Sequence, residues 1–210
     1  MMDRWAMALL RPGLEAGARG LVRAGVGADA VTWAGFALGM AAAVCIAQGA
    51  FTAGLVLMLA SRLLDGLDGA VARLTQPTDR GAFLDITLDF LFYASIPLAF
   101  AWADPARNAL AAATLLAAFV GTGSTFLAFA VLAERRGLAS AAYPSKGLYY
   151  LGGLTEATET LIAFAAMCLW PVAFPWIAAV FTGLCVLTVL TRLWFGWRAL
   201  SGSVAPSRSP

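Results

Sequence analysis

Apolar runs long enough to cross a bilayer recur along almost all of this 210-residue chain, and nothing else constrains its fold as strongly. A spanning helix needs about 20 mostly apolar residues. Six such runs can be read, at residues 31–49, 51–73, 81–103, 108–133, 147–170 and 174–197. The composition agrees: 61% of residues are hydrophobic and 12% are charged, far from a soluble globular chain. The expected fold is an all-α integral-membrane bundle of six transmembrane helices with an N-terminal interfacial amphipathic helix. It forms one domain over residues 1–200, with residues 1–25 interfacial and the spans filling about 31–197. The last ten residues, 201–210, are rich in Ser and Pro and read as a disordered tail.

The ends of these runs carry further signals. Residues 2–22 read as an interfacial helix, with Trp5, Leu9, Leu10 and Leu14 toward lipid, the arginines toward water, and Pro12 limiting its continuity. The first 23 residues lack the compact apolar stretch of a secretory signal peptide. Asp29 is placed to cap the first spanning helix or to contact a nucleotide. Gly35 and Gly39, four apart, would allow another helix to approach closely. Arg4, Arg11, Arg19 and Arg23 precede the first span, Arg73 and Arg80 lie between spans two and three, Arg135, Arg136 and Lys146 between spans four and five, and Arg192, Arg198 and Arg208 end the chain. Only Arg107 falls on the other side, so both termini and the site below are expected on the cytoplasmic face of the inner (cytoplasmic) membrane.

Four aspartates interrupt this apolar pattern. Asp65 and Asp68 are three apart, Asp85 and Asp89 four apart, so each pair shares a helix face. The intervening Leu74-Thr75-Gln76-Pro77-Thr78-Asp79-Arg80 has turn composition. Two antiparallel helices would then turn their carboxylates toward each other. Each carboxylate at a helix centre costs about 2.5–3.5 kcal/mol on insertion scales, so the group needs counter-charge. An oxygen-only cage suits hard divalent cations, Mg²⁺ or Mn²⁺, and two ions would balance four carboxylates. Arg62, one turn before Asp65, could be an internal counter-ion or could snorkel to lipid headgroups.

A second polar cluster follows residue 144. Lys146 leads into a helix carrying Tyr149, Tyr150, Glu156, Glu159 and Thr160, with Glu156 and Glu159 on one face and Glu159 about three turns in. That face could recognise a substrate or form a buried hydrogen-bond network. Arg192 could snorkel or bind phosphate inside the bundle. Cys45, Cys168 and Cys185 sit in apolar runs without metal-ligand spacing and read as core residues. The chain has no histidine, which excludes imidazole catalysis and leaves a carboxylate, Lys, Tyr or water as any general base.

The pattern Asp65-x-x-Asp68-Gly69-x-x-Ala72-Arg73, then Gly81-x-x-x-Asp85-x-x-x-Asp89, resembles the signature of the CDP-alcohol phosphotransferase (phosphatidyltransferase) family. Seven residues separate Arg73 from Gly81 where the common form has eight, and Ala28-Asp29 stands where many members have Pro-Asn. The resemblance implies an enzyme of phospholipid synthesis that moves a phosphatidyl group from a CDP-linked lipid to an acceptor hydroxyl, with release of CMP. It implies Asp65, Asp68 and Asp85 as principal metal ligands. Asp89 would contact a second metal and act as base. Asp68, Gly69, Ala72, Arg73, Gly81 and Thr32 are expected at the nucleotide or its phosphates, Gly69 and Ala72 because they lack bulk. The resemblance also implies a homodimer. Nucleic acid is not an expected partner.

The donor is expected to be CDP-diacylglycerol, since the site would open at the membrane face. For the small alcohol acceptor, Lys146 and Arg192 suit glycerol 3-phosphate, the favoured reading. Glu156 and the tyrosines suit an amino-alcohol or choline-like acceptor, and inositol phosphate is a further alternative in the family. The competing class is a membrane transporter or ion channel that uses the intramembrane aspartates.

Overall fold

The computed structural model describes residues 2–136 and 154–201, with side chains from residue 10. These residues are helical apart from short connections. They form α1 (Met2–Arg23), α2 (Ala28–Ala47), α3 (Phe51–Leu74), α4 (Asp79–Ala103), α5 (Pro105–Arg135), α6 (Ala157–Leu169), a 3₁₀ turn at Pro171–Ala173, and α7 (Phe174–Leu200). Among the described residues four segments are long and apolar enough to cross a membrane: Ala28–Ala47, Asp79–Ala103, Pro105–Arg135 and Pro171–Leu200. α3 has the length, 24 residues, but from its middle onward it carries Arg62, Asp65, Asp68 and Arg73. The 13 residues of α6 reach about 20 Å, short of the roughly 30 Å hydrocarbon core.

Local chemistry sets the helix ends. α1 and α2 both stop at a glycine in the left-handed region, Gly25 (φ 74°) and Gly49 (φ 79°). At each, the amide of the following residue bonds back five positions, Val26 to Leu21 and Ala50 to Cys45, the C-terminal motif that glycine permits. Thr78 caps α4 by accepting from the Gly81 amide at 3.1 Å. Asp104 caps α5 ahead of Pro105, which fits the first helical position.

Three sequence expectations change here. Asp29 does not cap α2: Gly27 holds that position, and Asp29 in the first turn is ion-paired with Arg80. α1 continues through Pro12 as one helix. Leu14 is buried with Ala18 against Ala70 and Val71 of α3 rather than facing lipid. Leu10 is exposed, and Trp5 and Leu9 fall among the side chains outside the description. On the exposed flank beside this face Arg11 donates to Glu15 at 2.8 Å, holding that carboxyl below the usual carboxylate range.

The core lies toward the other end of the bundle. Phe100 stacks between Phe51 and Phe174, with centroids 5.6 and 4.6 Å away. Phe92, Ile96, Phe164 and Met167 complete the fully buried centre. Cys168 and Cys185 are buried and Cys45 half-buried, all as free thiols.

α2 is the element that positions the site. It packs against both α3 and α4. Gly35 and Gly39 make this approach possible. A Cβ at Gly35 would lie 3.2 Å from Leu64 Cβ, and one at Gly39 would lie 2.6 Å from Phe92 Cδ2 and 3.0 Å from Ser61 Oγ. Ser61 donates to the Gly35 carbonyl at 2.7 Å across this contact. Overpacking such a contact costs about 1–3 kcal/mol. Gly39→Ala is therefore expected to lower the melting temperature in detergent by several degrees. Gly183→Ala, where a Cβ meets nothing within 4 Å, serves as the matched control.

Candidate active site

The aspartates come from the last three turns of α3 and the first three of α4, joined by the short connection at residues 75–78. Pairing across the hairpin is antiparallel. Arg62 meets Asp89, while Asp65 and Asp68, further along α3, meet Asp85, nearer the start of α4. Carboxylate oxygens of Asp65, Asp68 and Asp85 all lie within 4.8 Å of one another. Opposite oxygens around an octahedral Mg²⁺ stand about 4.2 Å apart, so the spacing suits one small hard ion. A second observation supports the fit. Asp68 is buried, with 5% exposure, and its Oδ2 has no hydrogen-bond partner. An unpaired buried carboxylate oxygen is unfavourable unless a cation accompanies it. Thr32 of α2 stands beside the Asp68 carboxylate, with its own hydroxyl donating to Ala28 at 3.0 Å.

Asp89 lines the same cleft but is not one of these three, and it is paired with Arg62. The same guanidinium lies 3.5 Å from Asp65 and donates to Ser61 Oγ at 3.3 Å. It is 3.9 Å above the Phe92 ring and 5.7 Å from that of Tyr93. A desolvated cation over an aromatic face gains about 2 kcal/mol. With 12% of its side chain exposed, Arg62 is the internal counter-ion rather than a snorkelling residue.

The expected nucleotide-side residues surround the mouth of the hairpin. The Arg73 guanidinium folds back over Gly69, where a Cβ would come within 3.3 Å of it. Ala72 is half-buried one turn after Asp68. A Cβ at Gly81 would come within 3.2 Å of Thr78 Oγ and 3.4 Å of Asp29 Oδ1. The Asp29–Arg80 ion pair therefore ties α2 to the start of α4 beside Gly81.

On the other side of Asp89 a cavity of about 340 Å³ opens between α4, α5, α6 and α7. Phe90, Tyr93, Leu116, Phe119, Val120 and Phe126 make most of its wall; Thr122, Thr155, Glu156, Thr160 and Arg192 add polar groups. Gly123 leaves the room that Phe90 occupies. Arg192 is buried, donates to the Thr122 carbonyl at 2.9 Å and lies 5.7 Å from the Phe126 ring centre, so it points into the bundle rather than to headgroups. Glu159 is not three turns into a helix but in the first turn of α6, with Glu156 at its N-cap. The chain bends at 154–155, and the two glutamates form a reciprocal capping box at the start of α6. Glu159 accepts from the Glu156 amide at 3.2 Å. Lys146, Tyr149 and Tyr150 lie outside the described residues. Tyr93 and the cavity wall from α5 were missed by sequence reasoning, because nothing in their spacing sets them apart from core residues.

The sequence profile of CDP-alcohol phosphatidyltransferases matches residues 26–199. The chain belongs to that family. It is 49% identical over 200 residues to the inner membrane protein YnjF of Escherichia coli, covering 95% of this chain and 97% of that one. It is 48% identical over 65 residues to the archaetidylinositol phosphate synthase of Methanothermobacter thermautotrophicus, 30% of this chain and 33% of the relative. The fold is similar to the phosphatidylinositol phosphate synthase of Mycobacterium tuberculosis. With CDP-DAG bound, that structure aligns at a TM-score of 0.67 and 26% identity over 91% of this chain and 98% of the other. With manganese and citrate it aligns at 0.70 and 26% over 93% and 96%. The chain is accordingly a membrane transferase of phospholipid biosynthesis. Family membership also argues against the transporter or channel reading.

If the triad is the metal site, Asp68→Asn and Asp85→Asn should each weaken Mn²⁺ binding at least about tenfold, or ~1.4 kcal/mol. Titration calorimetry on the detergent-purified protein measures this. Affinities equal to wild type would remove the triad as the ligand set.

Proposed function

We propose that this enzyme transfers a phosphatidyl group from CDP-diacylglycerol to the hydroxyl of a small phosphorylated alcohol and releases CMP. The observation that carries this reading is the position of Asp89, which lines both the cleft beside the carboxylates and the 340 Å³ cavity that holds Arg192. A donor phosphate at the triad and an acceptor hydroxyl in the cavity would meet at that residue.

Asp65, Asp68 and Asp85 would hold Mg²⁺ or Mn²⁺. When bound, the ion neutralises the donor pyrophosphate and stabilises charge on the leaving oxygen. The small Gly69 and Ala72 admit the nucleotide close to α3, with Arg73 pairing a phosphate and Thr32 and Gly81 lining its approach. Asp89 takes the proton of the acceptor hydroxyl. The freed oxygen attacks the lipid-bearing phosphorus, the bond from that phosphorus to the bridging oxygen breaks, and CMP departs with that oxygen. Without histidine, a carboxylate at this position is the available base.

Arg192 supports a phosphorylated acceptor, glycerol 3-phosphate or an inositol phosphate. The names of two relatives point to inositol phosphate chemistry in those proteins. Glu156 in the same wall supports a second reading, an acceptor bearing an ammonium group. Purified protein supplied with Mn²⁺, CDP-diacylglycerol and each acceptor in turn should release CMP with a phosphorylated one. Silence with every acceptor would sink the transferase reading, and activity with ethanolamine or choline alone would move the assignment to the second. For the active pair, Arg192→Ala should raise the acceptor KM at least tenfold. Asp89→Asn should lower kcat by about 10²–10⁴, and chelation of divalent ions should abolish turnover.

The arginine distribution supports six spans with α1 at the interface and both termini cytoplasmic, and the family resemblance supports a homodimer. A reporter fused at residue 210 should be active only as a cytoplasmic fusion, and light scattering in detergent should give the mass of two chains. A periplasmically active fusion, or a monomer mass, would refute the corresponding part.

A further inference from the structure

We infer that Arg62 is a built-in cation of the site and the positioning residue for Asp89, so that the donor-free enzyme binds one divalent ion per chain rather than two. This rests on the metal-dependent reading above and refines it.

Four carboxylates converge where the helices face each other, and three of them share one set of ligand oxygens. The fourth, Asp89, is engaged by the Arg62 guanidinium, which also reaches Asp65 at 3.5 Å. A positive charge therefore already stands between Asp65 and Asp89, where a second metal ion would otherwise have to balance them. Cation repulsion at this range disfavours another divalent ion there.

The guanidinium is held in place on every side. Ser61 Oγ accepts from it at 3.3 Å and is itself fixed by donating to Gly35. Phe92 lies under it at 3.9 Å, and a side chain at Gly39 would displace both Ser61 and Phe92. Its Nε is buried without a hydrogen-bond partner, so Nη1 carries the contact to the carboxylates and Nη2 the one to Ser61. A planar guanidinium fixed in this way also fixes the carboxylate it binds. It holds Asp89 by one oxygen at the boundary between the carboxylate cleft and the cavity.

The test is Mn²⁺ binding to the full-length, detergent-purified chain without donor, with free Mn²⁺ followed by electron paramagnetic resonance. One ion per chain is expected. Asp89→Asn should leave Mn²⁺ affinity within about twofold of wild type while Asp85→Asn loses tenfold or more. Arg62→Gln should bind Mn²⁺ at least as tightly as wild type, yet lower kcat by roughly tenfold to a hundredfold with the donor KM unchanged, and Arg62→Lys should recover part of kcat. Two ions on the wild-type chain, or Asp89→Asn weakening Mn²⁺ as much as Asp85→Asn, would overturn the inference and leave the transferase reading intact. No Mn²⁺ binding at all would overturn both. Neither the wild-type stoichiometry nor the aspartate comparison depends on the Arg62 variants folding.

Discussion

Charge compensation among carboxylates that an apolar bundle has drawn together is the constraint on which the rest of this structure depends. Each acid removed from water costs several kcal/mol unless a cation accompanies it. The described residues supply one such cation from within, Arg62, and leave a buried oxygen of Asp68 without a protein partner. The site is therefore divided electrostatically. The Asp89 end is balanced by the protein, and the Asp68 end suits a divalent ion. This asymmetry matters for the reaction: a base needs to be ionised and oriented, whereas a phosphate clamp needs positive charge that is open to a ligand.

The packing around α2 turns that division into geometry. Because α2 lies against both α3 and α4, a change at its surface reaches the two acid-bearing helices together. The glycines make that surface flat. Gly39 gives way to Ser61 and Phe92, the two groups that steady Arg62, and Gly35 gives way to α3 itself. The same helix carries Thr32 beside Asp68 and Asp29 against Arg80. A helix that reads in sequence as a plain membrane segment is thus the template on which the polar site is registered.

What was legible in the sequence follows from how local each signal is. The aspartate pairs sit at helical spacing on either side of a Pro-containing turn, so their convergence needs only a hairpin. The close approach at Gly35 and Gly39 was likewise written in four residues. Where a residue's partner comes from a distant segment, the sequence left alternatives open. Arg62 could snorkel or turn inward, and only the placement of Phe92 and Asp89, some 30 residues on, decides it. Leu14 has the period of an amphipathic face, but a period does not say whether lipid or α3 covers that face. Glu156 and Glu159 were read through as part of a longer apolar helix. Glu is not among the usual N-cap residues of a capping box, so nothing in the spacing announced the box that starts α6 at Glu156.

The same contrast explains why donor chemistry is better defined than acceptor chemistry. The donor end is built from two consecutive helices and one turn, so its residues keep a fixed register. The acceptor cavity draws on α4, α5, α6 and α7, whose mutual placement comes from the phenylalanine core and not from any short motif. Its walls are mostly aromatic and aliphatic, so a few polar groups decide what is bound, and Arg192 and Glu156 carry opposite signs. On the proposed reading, specificity depends on which of the two charges an acceptor's own charge complements. Asp89 belongs to both compartments. A change in the cavity that disturbed Phe90 or Tyr93, its neighbours on α4, would therefore reach Asp89 as well, and in the proposed reaction that would couple acceptor choice to turnover as well as to binding.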